Sequence, residues 1–205
     1  MSLSEKIWDD TASLDSIAAY LDGLAHPARL AETRTLSRRD QRRLYQRAAG
    51  GAPLSIDDFV GAGVAPRTQV IHHGRNTLPL PAPLKLFQKR MCKPESGHGR
   101  LFGYNECPFT GPIGPGFFVV VPTAGKSAWE ARGAVVVDYY QIPDGPVAAG
   151  WPEVVPNTKG LQRFVYHHTR DYMRRVSSHV TVGAAYKGEK SLDHYFMLCR
   201  EDAAS

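Results

Sequence analysis

The chain has few cysteines, and their spacing does not suit a disulfide framework. Only three occur in 205 residues, at positions 92, 107 and 199, and none forms a CxxC pair. Small secreted domains that depend on disulfides carry an even and closely spaced set. We therefore expect a reducing compartment and predict a cytoplasmic protein, and we expect no structural zinc knuckle.

Long apolar runs are also missing. The longest, such as residues 117–121, fall far short of the roughly 20 apolar residues that cross a bilayer as a helix. Residues 1–10 carry acidic side chains and no apolar run, so we expect no secretory signal there. The sequence therefore predicts a protein without a membrane span.

The charge balance is mildly basic, with a net charge of +5 and an isoelectric point near 9.2. This balance is compatible with an anionic ligand, but it does not demonstrate nucleic-acid binding. Five arginines concentrate in residues 38–47, and no RNP, KH, zinc-finger or helix-turn-helix signature accompanies them. We expect this run to be a solvated helix face, and docking on an acidic partner is an alternative.

The order of the local sequence patterns divides the chain into three predicted regions. Residues 1–50 are predicted to be a helical N-terminal extension, in which Ser13 caps one helix and Ser37 with Asp40 forms a capping box for another. Residues 51–68 are rich in Gly, Pro and Ala and are predicted to be a linker. Residues 69–205 are predicted to form an α+β domain of the ligand-binding type.

The third region contains a series of short β patterns. The clearest is residues 134–140, and along residues 84–92 the alternation places Lys85, Phe87, Lys89 and Met91 on one face. Crossover helices of a parallel sheet are missing, so we predict an antiparallel arrangement. The expected fold is α+β, with a curved sheet or partial barrel of about six to seven strands.

Residues 158–177 are predicted to be one long helix packed on or into this sheet. In a helical projection, the side chains of this segment separate into an apolar face and a basic face. The apolar face contains Leu161, Phe164, Val165, His168, Tyr172 and Val176, and the basic face contains Arg163, His167, Arg170 and Arg174. A strand over residues 163–167 is the alternative, since Phe, Val and Tyr also favour strands.

The predicted catalytic residues are a histidine and two carboxylates. His168 on the apolar helix face would act as a general base, with Asp171 three residues later as its partner. Asp138 lies within a strongly apolar strand and would need a partner if it is buried. The alternative is that Asp138 lies on the solvent face of the sheet. The alternative for His168 is a core histidine with one satisfied hydrogen bond.

The predicted ligand-binding residues are Tyr104, Asn105, His167, Tyr172 and Arg174. The first two belong to the segment 103–116, whose four glycines and three prolines prescribe a definite backbone path. We expect this loop at the rim of the sheet, where ligands enter, and a rigid structural turn is the alternative. The guanidinium group of Arg174 and the imidazole ring of His167 would bind a polar or anionic group of the ligand.

Together these patterns predict a domain that binds a small molecule, either amphipathic or anionic, in an apolar cavity with a polar or basic mouth. The first alternative is an enzyme without a cofactor, of the isomerase, cyclase, dehydratase or hydrolase type, that uses the histidine and a carboxylate. The second is an interaction module that docks through residues 38–47. Adjacent histidines at 72–73 and 167–168 lack ligand spacing, so no metal site is predicted.

Overall fold

Antiparallel strands form a closed barrel in the computed structural model, which describes residues 1–97, 99–108 and 110–202. Each of the eight strands pairs with its neighbour in sequence, and the last returns to the first. The strands are β1 (Val70–Asn76), β2 (Leu86–Cys92), β3 (Leu101–Glu106), β4 (Phe117–Pro122), β5 (Val135–Asp138), β6 (Thr169–Arg175), β7 (Val180–Lys187) and β8 (Lys190–Arg200). Closure leaves no strand of the barrel with an unpaired edge.

Four helices precede the barrel, and three short ones lie in its connections. They are α1 (Leu3–Trp8), α2 (Leu14–Asp22), α3 (His26–Thr35), α4 (Arg38–Arg47), α5 (Thr110–Ile113), α6 (Ser127–Glu130) and α7 (Gln162–Val165). Short 3-10 turns occupy Ala48–Gly50, Ile56–Asp58 and Ala82–Lys85. The predicted caps are present, because the side chains of Ser13 and Ser37 accept hydrogen bonds from the first turns of α2 and α4. No helix among the described residues has the length and apolarity to cross a membrane.

The N-terminal helices cover the outer face of β7 and β8. Leu21 and Leu44 pack there against Val182 and Met197, and all four side chains are fully buried or nearly so. Each such side chain contributes about 1.5–3 kcal/mol by leaving water. Four of the helices lie within residues 1–50, and their buried side chains form one hydrophobic core with the outside of the barrel.

The barrel interior follows from strand alternation. Side chains at every second position point inward, and at one end they form an apolar cluster that includes Met91, Leu101, Val120 and Leu198. Leu54, Phe59 and Val60, from the segment predicted to be a linker, pack into the same cluster. Part of that segment therefore closes one end of the barrel.

Three glycines at inward-facing strand positions leave room for three phenyl rings. A Cβ atom placed on Gly74 would lie 2.4 Å from the Phe87 ring. A Cβ atom on Gly103 would lie 2.2 Å from the Phe118 ring, and one on Gly183 would lie 2.3 Å from the Phe196 ring. Such distances are well inside van der Waals contact, so each phenyl ring occupies the space that a side chain would need.

The prediction of one long helix over residues 158–177 is wrong. Only α7 is helical, and Thr169–Arg175 is strand β6, paired with both β5 and β7. Gly160 and His168 have positive φ angles of 55° and 62°, which interrupt a helix on both sides of α7. Strand β6 is needed because without it β5 and β7 would both expose open edges. The expected partial barrel of six to seven strands is likewise corrected to a closed barrel of eight.

Candidate functional site

A cavity of about 410 Å³ occupies one end of the barrel, opposite the end that Leu54, Phe59 and Val60 close. Its rim comes from the connection between β1 and β2, from α5, from α7 and from the start of β8. The apolar lining residues are Leu78, Leu80, Leu84, Leu86, Phe87, Ile113, Phe164, Val165, Ala185, Leu192 and Phe196. A space of this size and lining suits a small, mainly apolar molecule.

Four polar side chains meet at the floor of this cavity. The Lys89 Nζ atom donates to Asn105 Oδ1 at 3.0 Å and to Asp171 Oδ2 at 3.2 Å, and it also donates to the Tyr139 hydroxyl. The Asn105 amide donates to that same hydroxyl at 2.9 Å. Tyr139 in turn donates to the Asp171 carboxylate. The floor is therefore a closed hydrogen-bond network inside an apolar wall.

Strand register places these groups together. Lys89 on β2 lies directly opposite Asn105 on β3, and Asp171 on β6 lies opposite Val137 on β5 and Ala185 on β7. Directly opposite residues in antiparallel strands point to the same face of the sheet. Because Val137 belongs to the interior cluster, Asp171 also points inward, and closure of the barrel brings it across to Lys89.

Aromatic rings surround the amine of Lys89. The Nζ atom lies 4.8 Å from the ring centre of Phe118, 5.0 Å from Tyr139, 5.1 Å from Phe196 and 5.6 Å from Phe87. Ring faces attract a cation at such distances, and the attraction is stronger where water is excluded. The side chain of Lys89 is only 2% exposed, so the rings replace much of the hydration that a charged amine would lose.

Burial shifts the ionisation of the floor. It lowers the pKa of Lys89 and raises the pKa of Asp171, because both charged forms lose their hydration. The attraction between the two groups opposes each shift without reversing it. Burial also raises the pKa of the Tyr139 phenol. The two shifts bring the proton affinities of the amine and the carboxylate closer together, so proton transfer within this pair is easier than in water.

Helix α7 lies beside the opening and presents apolar side chains to solvent. It is held by buried Gln162, whose amide donates to Pro156 O at 3.0 Å, and by Tyr166, whose ring stacks on Tyr139 at 5.3 Å. Phe164 and Val165 line the cavity and remain 68% and 45% exposed. The rim therefore combines a fixed inner side with an exposed apolar outer side.

Two of the predicted site residues lie in the cavity. Asp171 and Asn105 are both part of its floor. His168 is exposed at the outside of the barrel, where it stacks on Tyr140 with ring centres 5.0 Å apart. Asp138 points away from the interior, accepts a hydrogen bond from Tyr140 N at 3.0 Å and lies 3.3 Å from the Arg170 guanidinium. The structure does not bring His168 to Asp171.

The other predicted ligand-binding residues also lie outside the cavity. Tyr104 packs against Trp151 with ring centres 4.9 Å apart, and Tyr172 packs against Tyr186 at 5.0 Å. Arg174 donates to the backbone oxygens of residues 45 and 131 at 2.7 and 2.9 Å. His167 packs against His168 at 3.7 Å. These contacts give each side chain a partner in the outer layer of the molecule.

The site residues predicted from the sequence do not include Lys89, although the sequence pattern around Lys89 indicates a special position. Lys89 alternates with Phe87 and Met91 on one face of a strand, and a lysine on an apolar face needs a buried partner. The sequence does not indicate which carboxylate is that partner. Asp171 lies 82 residues after Lys89, and no local pattern relates residues so far apart. Among the described residues, no group of three His, Cys, Asp or Glu side chains is arranged to hold a metal ion.

Comparisons with protein-family models, with curated proteins and with solved structures found no match to this chain. The fold and the site nevertheless define a structural class, a closed antiparallel barrel with an apolar internal cavity and a charged, hydrogen-bonded floor.

Proposed function

We propose that the barrel binds a small, mainly apolar and uncharged molecule through a carbonyl or hydroxyl oxygen. The observation that supports this is a polar floor, formed around Lys89 and Asp171, at the end of a mainly apolar cavity. Ligand sites commonly combine apolar walls with a few polar groups that fix orientation. The walls set the size and apolarity of the ligand, and the floor selects its polar group.

Charge balance at the floor favours an uncharged ligand. Lys89 is matched by the single carboxylate of Asp171, and both groups are almost fully buried. An anionic ligand would add a second negative charge to this pair in a region of low dielectric constant, which is unfavourable without another cation. A carbonyl oxygen would instead accept from Lys89 in place of Asn105 Oδ1, and a hydroxyl group would also donate to Asp171.

The exposed rim supports uptake of an apolar molecule from this end. Phe164 and Val165 are shared between the outer surface and the cavity lining, so an apolar ligand would remain in contact with apolar side chains as it enters. Two cations lie beside this path, since the Arg163 guanidinium is 5.2 Å from the Phe164 ring and the Lys187 amine is 3.5 Å from its carbonyl oxygen. These two cations are the basic part of the mouth.

The alternative of docking through residues 38–47 has less support, because most of its arginines have partners within the chain. Arg43 and Arg47 donate to backbone oxygens at the end of α1, including Ile7 O at 2.8 and 2.9 Å. Arg38 and Arg42 both face Asp193. These contacts attach α4 to α1 and to β8 and account for the arginines structurally.

Binding is tested with N-phenylnaphthylamine, an uncharged apolar dye that fluoresces when water is excluded. We expect saturable fluorescence enhancement with the wild-type protein. Displacement should be strong with a medium-chain methyl ketone or the matching secondary alcohol and weak with the matching fatty acid. Ala185→Phe should abolish the enhancement, because Ala185 lines the cavity beside Asp171 and a phenyl group would fill the space.

Ala62→Phe is the matched control. It adds the same side chain at an exposed position in the loop after the Ile56–Asp58 turn. Its dye binding should equal that of the wild type. Absence of saturable binding to the wild type, or equal binding by Ala185→Phe in a folded state, would contradict the proposal.

A further inference from the structure

We propose that Lys89 forms an imine with the carbonyl carbon of an aldehyde or ketone held in the cavity, while Asp171 carries the proton between the reacting atoms. This inference rests on the proposed function, since the same cavity must first bind the carbonyl compound. It goes further by assigning a covalent step and a substrate class to the floor.

The position of the amine is the first support. Lys89 is the only primary amine among the described residues that line the cavity, and its Nζ atom lies at the floor rather than at the rim. A ligand whose carbonyl oxygen replaces one acceptor of Lys89, such as Asn105 Oδ1 at 3.0 Å, would bring its carbonyl carbon next to the nitrogen. Holding two reacting atoms in contact in this way replaces a bimolecular encounter with a local step.

The ionisation of the pair is the second support. An ammonium group has no lone pair, so an amine must lose a proton before it can attack a carbonyl carbon. Burial lowers the pKa of Lys89 and raises that of Asp171, and the carboxylate 3.2 Å away is placed to take the proton. Desolvation in an apolar pocket is one of the known ways to activate a lysine.

The reaction balances within the site. Lys89 transfers one proton to Asp171, and the neutral amine then forms a bond from nitrogen to the carbonyl carbon. Asp171 returns its proton to the carbonyl oxygen, a proton moves from nitrogen to the resulting hydroxyl group, and the bond from carbon to that oxygen breaks to release water. One ammonium and one carbonyl compound thus give one protonated imine and one water, with Asp171 again a carboxylate.

The aromatic rings are the third support, because they suit the product as well as the resting amine. The protonated imine keeps a positive charge on the same nitrogen, within 4.8–5.6 Å of four ring centres. A purely structural role is a weaker explanation of these features. An apolar side chain would fill the space without desolvating a charge, and buried ion pairs contribute little net stability.

Reductive trapping tests the proposal. Wild-type protein is incubated at neutral pH with a medium-chain methyl ketone and cyanoborohydride, which reduces an imine to a stable secondary amine. We expect one adduct per chain, with the added mass of the ketone less one oxygen atom, since imine formation removes water and reduction adds two hydrogens. Peptide mapping should place this adduct on Lys89. Excess of the matching secondary alcohol should suppress it, because the alcohol occupies the cavity but cannot form an imine.

Two variants separate covalent chemistry from binding. Lys89→Met should give no adduct in the barrel, and Asp171→Asn should slow trapping about a hundredfold because the proton carrier is removed. Lys93, which donates to Gly61 O at 2.8 Å outside the cavity, is the control position, and Lys93→Met should be trapped like the wild type. The mapped site in the wild type remains informative if either floor variant fails to fold.

The outcomes distinguish this inference from the proposed function. If the ketone displaces N-phenylnaphthylamine but no adduct forms on Lys89, imine formation is refuted and the binding function stands. If adducts form on surface lysines and the alcohol does not suppress them, the inference is also refuted. If the ketone neither displaces the dye nor forms an adduct, both proposals fail.

Discussion

Lys89 Nζ lies 3.2 Å from Asp171 Oδ2 inside the barrel, where both side chains are at least 93% excluded from solvent. The two residues come from β2 and β6, which are not neighbours in the sheet. Their contact therefore crosses the interior and depends on closure of the barrel. An ion pair in such a position affects stability, ligand selection and reactivity, and each effect can be measured separately.

The stability effect is expected to be strongly non-additive. Lys89→Met leaves Asp171 buried without its cation and should lower the free energy of unfolding by about 3–5 kcal/mol. Adding Asp171→Leu should recover most of this loss, because the double variant has no buried charge at the floor. Urea denaturation of the wild type, both single variants and the double variant measures the coupling. Losses that simply add in the double variant would show that the pair is not coupled.

Ligand selection is expected to change with Asp171→Asn. This variant leaves Lys89 without a compensating carboxylate, so a fatty acid could supply the missing negative charge. We expect the fatty acid to displace N-phenylnaphthylamine about tenfold better than it does from the wild type, since a charge-assisted contact contributes on the order of 1.4 kcal/mol. Unchanged preference for the ketone over the fatty acid would contradict the charge-balance argument.

His72 is expected to make stability depend on pH. Its Nε2 atom lies 2.9 Å from Phe59 O, and burial lowers its pKa from 6.5 to about 3. Between these values the unfolded chain binds one proton more than the folded chain, so this contribution is complete above about pH 6.5 and is lost as the pH falls. From pH 7 to pH 5 the wild type should lose about 2 kcal/mol more of its free energy of unfolding than His72→Gln does. Parallel pH profiles for the two proteins would contradict this assignment.

A side chain at Gly183 is expected to destabilise the barrel. A Cβ atom there would lie 2.3 Å from the Phe196 ring and 2.7 Å from Met173 Sδ, so Gly183→Ala should cost about 1–3 kcal/mol through overpacking. Gly63→Ala is the control, because nothing lies within 4 Å of a Cβ atom at that position. Urea midpoints measure both variants. Equal midpoints for the two would show that the ring moves aside without cost.

Several elements were predictable because their signals are local. The caps at Ser13 and Ser37, the helices that follow them and the alternation of Phe87, Lys89 and Met91 each depend on a few adjacent residues. The helix predicted for residues 158–177 was wrong because a 3.6-residue apolar pattern occurred in a segment that pairs as a strand. Pairing with β5 and β7 outweighs local helical preference there, since it satisfies backbone groups on both sides.

The sequence by itself determined the N-terminal helices, the antiparallel character of the sheet and the face on which Lys89 lies, because these follow from capping groups, missing crossover helices and two-residue periodicity. The tertiary structure alone decided that eight strands close, that Lys89 meets Asp171 and Tyr139, and that His168 lies outside. Alternation specifies the direction of a side chain but not its partner across the barrel. That partner depends on strand register and closure, which arise from pairings between segments far apart in the chain.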